Sequence, residues 1–328
     1  MERIKFYDIL KGEAIWIVAF EHSLFALNSL ARDSILSNAI QLIQMPLFVA
    51  ISGFFFYPSI TKNSFTGNLK RKFLHLYLPS LCWGIIGACM MSAFKIMTHK
   101  EIDVCYLPYL VFTGMWFLTA LFILSVIGLF LNRFIKDYFF ICWVVVFVIL
   151  YFTPSLWMVN EVKFLLPFFV TAIFLRRYDW QQIPLWLFIT SLFFYGGALY
   201  VYNWNFTLYS MSATDVFLSW EYLYMTIVRV VGGISGIISV LYLSKYIEKL
   251  NIVSKFFLYI GEITLPIYVL HQKFLLPLNL LNYETDNLSI IFITSIVIVF
   301  FSVFAYKLMK HKFFRWYLFG ETKVLMNK

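Results

Sequence analysis

Residues 288–309 form an uninterrupted apolar segment, LSIIFITSIVIVFFSVFAYKLM, in which Lys307 is the only charged residue. An α-helix rises about 1.5 Å per residue, so about 20 mostly apolar residues are enough to cross the hydrocarbon core of a bilayer. The segment is therefore predicted to be a membrane-spanning helix. Nine further segments of the same character precede it along the chain: 12–31, 38–58, 76–97, 106–131, 138–154, 162–175, 184–203, 222–243 and 256–276.

The composition agrees with this prediction. Hydrophobic residues make up 62% of the chain and charged residues only 13%, whereas a soluble domain carries roughly 25% charged residues. The first segment is not followed by the small-residue cleavage site of a secretory signal peptide, so we expect it to be retained. We predict a single all-α transmembrane domain over residues 1–328, a polytopic helical bundle of about ten spans in which the longest loop lies near 203–221.

The distribution of basic residues predicts the orientation. With ten crossings both termini lie on one side of the membrane, and most of the 26 Lys and Arg residues fall on that side. The positive-inside bias therefore predicts that both termini are cytoplasmic. This topology accounts for the net charge of +9, so no nucleic-acid partner is expected. Three of the four cysteines lie inside apolar segments, which argues against a disulfide framework.

Ionisable residues inside the predicted spans are the first candidates for a functional site. A charged group at the centre of the bilayer costs at least about 2.5 kcal/mol on insertion scales, so such groups usually face a polar interior. An alternative is structural pairing, for example of Arg229 with Glu21 or Glu13. The residues concerned are Glu13, Glu21, His22, Arg229, Glu262 and His271.

The first span places a cation and an imidazole on one helical face. Lys11 and His22 are eleven residues apart, close to three turns, and about 16 Å along the helix axis. A cation at the cytoplasmic end suits a phosphate-bearing ligand, and a neutral imidazole can act as a general base. By spacing alone, an ordinary polar contact to another helix is the more frequent role of such a histidine.

The ninth span contains a second histidine and a proline. Pro266 is predicted to bend the helix between Glu262 and His271. Counted as helical rise, His271 lies about 24 Å beyond Lys255 and therefore in the outer half of the membrane. Pro46 is likewise expected to break the second span.

Four stretches in a fixed order resemble the membrane-bound acyltransferase-3 family, whose members typically O-acylate extracytoplasmic sugars. Two departures concern the basic residues, because the family often has Arg at the position of Lys11 and an Arg-x-x-Arg pair before the third helix. Lys keeps the charge but loses the bidentate fork of Arg. The stretches are Asp8-Ile9-Leu10-Lys11-Gly12 followed by His22, Gln44 to Phe54, Trp116-Phe117-Leu118, and Gly261 to His271.

The resemblance implies a donor, an acceptor and roles for several residues. The donor is acyl-coenzyme A, most simply acetyl-CoA, on the cytoplasmic side of a bacterial inner membrane. The acceptor is a hydroxyl of a saccharide such as an O-antigen or capsule unit. His22 is then a general base or a transient acyl carrier, and His271 contacts the acceptor or helps to deliver the acyl group. The donor phosphates would bind a basic mouth made of Lys11, Lys70, Arg71 and Lys72.

Four further residues are candidates for an acceptor site or for structure. Trp116 is expected in the outer half, where its ring could stack on a sugar or serve as packing. Glu21 projects about 100° away from His22, so we expect it to pair with another span, and Arg229 is the suggested partner. Asp8 belongs to the motif of the first span. No metal site is predicted, and the oligomeric state stays open.

Two other functions fit a chain with many spans and buried charges. A transporter or flippase for a lipid-linked glycan would use the same kinds of residues, but no internal repeat of the type common in transporters is detectable. A glycan polymerase usually depends on large outer loops, and the longest predicted loop here is short.

Overall fold

The computed structural model describes residues 5–28, 31, 34–62, 64–97, 104, 106–154, 157–176, 178–203, 219–281, 283–309 and 311–321. Most of the predicted outer loop at 203–221 lies outside these residues. Within them the regular structure is entirely helical, which confirms the predicted all-α class. The helices are α1 (Lys5–Leu27), α2 (Ile35–Lys62), α3 (Phe65–Lys72), α4 (Leu78–Met97), α5 (Tyr106–Thr113), α6 (Trp116–Phe134), α7 (Phe139–Tyr151), α8 (Val159–Leu175), α9 (Leu185–Val201), α10 (Trp220–Ile247), α11 (Asn251–Glu262), α12 (Thr264–Leu281), α13 (Leu288–Leu308) and α14 (Lys312–Phe319).

Several of these helices can cross a bilayer. Among the described residues, five helical stretches are long and apolar enough, or six if the bent pair α11–α12 counts as one span. The polytopic helical membrane fold is thus confirmed, whereas the count of ten and the cytoplasmic termini stay predictions. The five stretches are Ile35–Ile60, Phe65–Met97, Trp116–Phe134, Trp220–Ile247 and Leu288–Leu308.

The second of these stretches contains a turn of π-helix. Phe73–Tyr77 joins α3 to α4 without interrupting the helical path. Turns of this type widen a helix locally and often occur near functional sites. This one contains His75 and directly follows the basic residues at the end of α3.

The described residues fall into two compact units. The first is drawn from Met1–Phe54, Phe168–Ser210 and Leu218–Leu308, and the second mainly from Phe55–Pro167 and Met309–Lys328. Helices α2 and α8 each contribute to both units.

Helix α1 lies inside the first unit, where it packs on α10, α11, α12 and α13. It carries Asp8, Glu13 and Glu21, and all three carboxylates are buried. A helix with acidic groups at these depths cannot face lipid. Its neighbours therefore provide the polar interior in which the candidate site lies.

The packing of α1 on α11 depends on two glycines of the motif segments. A Cβ atom at Gly261 would lie 1.7 Å from the carbonyl oxygen of Asp8, and one at Gly12 would lie 2.0 Å from that of Phe257. No side chain fits at either position. The two backbones touch, as is usual where small residues meet between membrane helices.

Helix α2 is continuous through Pro46, so the expected break is wrong. Proline cannot donate to the carbonyl four residues earlier, which is that of Leu42. This carbonyl faces Gly233 of α10, where a Cβ would lie 3.2 Å from the oxygen. The carbonyl that proline cannot bond thus lies where the backbones of α2 and α10 approach closely.

The ninth predicted span is broken rather than gently bent. Helices α11 and α12 meet at 88° around Ile263, within the interval in which a bend was predicted. Pro266 lies in the first turn of α12, where the missing N–H has no intrahelical partner in any case. Because the two axes diverge, the predicted rise of 24 Å from Lys255 to His271 along one axis is wrong.

Candidate active site

The structure brings the two candidate histidines together in the first unit. His22 on α1 and His271 on α12 are 249 residues apart in sequence, yet Nε2 of His271 lies 3.4 Å from Nδ1 of His22. The ring centroids are 4.9 Å apart at an interplanar angle of 68°. His271 is fully buried and His22 is partly exposed. The two side chains thus share one depth, which the sequence-based placement of His271 in the outer half did not anticipate.

Backbone contacts determine which ring nitrogens carry protons. Nδ1 of His22 lies 2.9 Å from the carbonyl oxygen of Val18, and Nδ1 of His271 lies 3.0 Å from that of Ile267. A carbonyl oxygen only accepts, so both Nδ1 atoms are assigned as donors. In the neutral rings each Nε2 therefore bears a lone pair. Nε2 of His22 is the basic atom on the open side of the pair. Nε2 of His271 lies 3.4 Å from Nδ1 of His22 and can share the one N–H that this nitrogen donates to Val18.

Gln272 is a functional candidate that sequence reasoning missed. Its side-chain Nε2 lies 3.2 Å from Nε2 of His22, and the residue is exposed. The amide N–H donates to the lone pair of the imidazole. Gln272 directly follows the motif that ends at His271. Its position beside a candidate histidine was the feature of the sequence that could have pointed to it.

Glu21 points away from His22 into a buried polar network, as its helical position predicted. Gln44 of α2 donates to Glu21, and Arg229 of α10 interacts with the same carboxylate electrostatically. The guanidinium also lies over the ring of Tyr202, with 6.0 Å from Cζ to the centroid. Of the two carboxylates suggested as partners of Arg229, Glu21 is therefore the one for which an electrostatic interaction is observed.

Glu13 has a different partner. The hydroxyl of Ser244 on α10 donates to its carboxylate at 2.5 Å. This contact joins α1 to α10 about two turns before the Glu21 network. Both buried carboxylates thus tie the helix that carries His22 to its neighbours.

Lys11 forms an ion pair near the start of α1. Its ammonium lies 2.5 Å from the carboxylate of Asp8, one turn earlier, and the lysine side chain is 31% exposed. Asp8 is buried, so Lys11 is the accessible member of the pair. A phosphate ligand of Lys11 would therefore compete with this carboxylate.

The other predicted donor-binding cations lie in the second unit. Lys70, Arg71 and Lys72 occupy the last turn of α3. Lys70 and Arg71 are exposed, and Arg71 donates to the side chain of Asn68 at 3.2 Å. The ammonium of Lys72 lies 5.3 Å from the ring centroid of Phe56. A joint basic mouth of these residues with Lys11 stays a prediction.

Trp116 also belongs to the second unit. It is the first residue of α6 and is partly buried, with its ring 6.0 Å from that of Phe117 in an edge-on arrangement. No group of three His, Cys, Asp or Glu side chains that could hold a metal occurs among the residues that the structure describes.

The first unit also contains an apolar cavity of about 440 Å³. Parts of α2, α8 and α10 form its walls, together with the segment 178–184 before α9. Trp180 lines it, and the ammonium of Lys245 donates to the carbonyl of Ile183 at its edge, at 2.7 Å.

Comparison with known proteins identifies the family. Residues 4–307 match a family model described as an acyltransferase domain. The chain belongs to this acyltransferase family. It is also 26% identical over 224 residues to the nodulation protein NolL of Mesorhizobium japonicum. That alignment covers 65% of the chain and 56% of NolL, so the chain spans just over half the length of this relative. No solved structure matches the chain.

Proposed function

We propose that this member of the acyltransferase family is a membrane O-acyltransferase. It transfers an acyl group, acetyl in the first instance, from acyl-CoA to a hydroxyl group. The acceptor is an extracytoplasmic saccharide such as an O-antigen or capsule unit, and the membrane is the bacterial cytoplasmic membrane. The observation that carries this proposal is the His22–His271 pair, in which Nε2 of His22 faces the open side.

His22 acts as the base in the simplest mechanism. The acceptor hydroxyl gives its proton to Nε2 of His22, and its oxygen attacks the thioester carbonyl. The C–S bond breaks, and the departing CoA sulfur takes the proton from the imidazolium. The products are the ester and CoA thiol, and His22 is again neutral.

His271 supports this chemistry through Nδ1 of His22. When Nε2 of His22 gains a proton, its Nδ1–H becomes a stronger donor, and Nε2 of His271 shares this N–H with the Val18 carbonyl. The buried imidazole thus stabilises the charge that forms on His22 and orients the ring. We assign His271 this positioning role in place of direct contact with the acceptor.

An acyl-carrier mechanism uses the same atom. Nε2 of His22 attacks the thioester, CoA leaves, and an acyl-imidazole forms. The acceptor hydroxyl then takes the acyl group and loses its proton, which restores the neutral ring. Both mechanisms need the lone pair on Nε2, so both are compatible with the observed hydrogen bonds.

The donor phosphates are proposed to bind Lys11 and the cations Lys70, Arg71 and Lys72. Lys11 is partly exposed, and Lys70 and Arg71 are exposed, so each of these cations is accessible to an anionic ligand. A phosphate has more charge than the carboxylate of Asp8 and would replace it at Lys11. Trp116 is proposed as a stacking surface for the sugar, whereas Glu21 and Arg229 hold α1 in place.

A cellular experiment tests the transferase proposal. His22→Ala should abolish the ester on surface glycans while the glycans are still exported. Mass spectrometry of glycans from cells with and without the protein would also distinguish an acetyl from a succinyl group. Leu276→Ala, an exposed position on α12, is the matched control and should leave acylation unchanged. Normal acylation in the His22→Ala strain would refute the proposal.

A further inference from the structure

Gln272 occupies the position that the acceptor hydroxyl must take. The proposed reaction needs the lone pair on Nε2 of His22, and in the structure this lone pair faces the Gln272 amide at 3.2 Å. An acceptor hydroxyl within hydrogen-bond reach of Nε2 would lie in the same place. The amide and the acceptor therefore exclude each other.

The orientation of the amide follows from the rest of the network. Because Nδ1 of His22 donates to Val18, its Nε2 has no proton in the neutral ring. The carbonyl end of the amide would place two lone pairs against each other. The N–H₂ end is therefore the one that meets the imidazole.

The surroundings of His22 leave Gln272 on its accessible side. Nδ1 of His22 is directed at the Val18 carbonyl and at His271, which is fully buried. Gln272 is exposed, and it contacts the other nitrogen. The Gln272 side chain thus covers Nε2 on the exposed side of the pair.

We propose that Gln272 is a gating and positioning residue for His22, an inference that rests on the proposed function. Without acceptor, the Gln272 amide donates a hydrogen bond to the lone pair on Nε2 of His22, so water cannot transfer a proton to this nitrogen. A bound acceptor displaces the amide and presents its own hydroxyl to Nε2. The amide, still nearby, then donates to the oxygen of that hydroxyl and orients it. Gln272 thereby favours transfer to a bound saccharide over hydrolysis of the donor.

Chemical labelling tests the gate without any substrate. Diethyl pyrocarbonate acylates an imidazole nitrogen that has an available lone pair. In Gln272→Leu, which keeps the bulk but not the donor, His22 should be labelled several-fold faster than in the wild type, relative to the exposed His311. Peptide mapping by mass spectrometry gives each rate. Equal rates at His22 in both proteins would overturn the gate.

Two controls separate a released lone pair from an unfolded site. His271 is buried, so it should stay slowly labelled in Gln272→Leu, and fast labelling of both histidines would overturn the interpretation as a gate. Leu276→Ala changes an exposed side chain one turn further along α12 and should label like the wild type.

A second measurement tests the consequence for the reaction. Membrane vesicles receive acetyl-CoA without added saccharide, and the release of CoA thiol is followed. Gln272→Leu should release thiol faster than the wild type, because water donates its proton to Nε2 and attacks the thioester to give acetate and CoA. The double variant with His22→Ala should lose this release.

The outcomes distinguish the two proposals. Loss of glycan acylation in His22→Ala together with unchanged labelling in Gln272→Leu would refute the gate and keep the transferase. Normal acylation in His22→Ala would refute the transferase, and the labelling result would still decide whether the amide protects His22.

Discussion

At the scale of single residues, the environment of His22 is asymmetric. Its Nδ1 is held by a backbone carbonyl and faces a buried imidazole, whereas its Nε2 meets the exposed amide of Gln272. In the proposed mechanism one nitrogen orients the ring and the other takes part in the chemistry. A histidine that served only as a polar helix contact would not need an uncharged, buried acceptor behind it.

Replacing His271 tests this division of labour. His271→Leu removes the acceptor for Nδ1–H of His22, and we expect transfer activity to fall by about 10- to 100-fold. His271→Gln supplies a polar group of similar reach and should recover part of the loss. Both are measured as rates of acyl transfer in membranes. A leucine variant as active as the wild type would mean that His271 does not act through His22.

Replacing Lys11 tests the donor site. Lys11→Ala should raise the KM for acyl-CoA by about 10- to 100-fold, because a hydrogen bond to a charged group contributes about 1.5–3 kcal/mol. The value of kcat should change much less, since Lys11 is about 16 Å from His22 along the helix. Lys11→Arg keeps the charge and should keep KM low. A change confined to kcat would contradict a role in donor binding.

At the scale of helices, the backbone contact between α1 and α11 makes the site possible. Gly261 lies at the end of α11, just before the 88° turn that brings α12 and His271 back toward α1. The distance between His22 and His271 therefore depends on how closely the backbones of α1 and α11 approach each other at Gly261. This dependence explains why one motif contains both Gly261, which allows the helices to touch, and His271, which contacts His22.

Gly261→Ala should destabilise the first unit. Its Cβ would overlap the carbonyl oxygen of Asp8, and overpacking of this kind costs typically about 1–3 kcal/mol. Thermal unfolding in detergent should show a lower Tm. Gly196→Ala in α9 is the matched control, because nothing lies within 4 Å of its Cβ, and removing a helical glycine should raise or preserve the Tm. Equal Tm values for the two variants would argue against the backbone contact.

The same helices explain what the sequence could and could not predict. Hydropathy predicted the helical class, and the motif order located His22 and His271, because both depend on local patterns. The helical rise used to place His271 assumed one axis, whereas α11 and α12 meet at 88°, and hydropathy does not show a break of this size. The local sequence around Pro46 likewise does not show that the carbonyl of Leu42 lies against Gly233 of another helix. The contact of Gln272 with His22 needs the side-chain geometry of both helices.

At the scale of the whole molecule, polar and apolar surfaces separate as a bilayer requires. The first unit buries Glu13, Glu21 and Arg229 around α1, whereas α7 and α13 expose Phe, Val and Ile side chains along their length. Exposed apolar surface of this extent suits contact with lipid. Helix α1 combines a length of 23 residues with several charges, so hydropathy alone underestimates its ability to cross.

Labelling from one side of the membrane can decide whether the number of crossings is even, as the predicted count of ten requires. Ten crossings with cytoplasmic termini place Asn63 inside and His99 outside, because one predicted span separates them. In a chain whose four natural cysteines are replaced by serine or alanine, Asn63→Cys should react with an impermeant thiol reagent only after the cells are opened. His99→Cys should react in intact cells, since it follows the span Phe65–Met97. A third position, Lys328→Cys, reports the last segment and should behave like Asn63→Cys. Labelling of Lys328→Cys in intact cells would require an odd number of crossings and would refute the predicted count of ten.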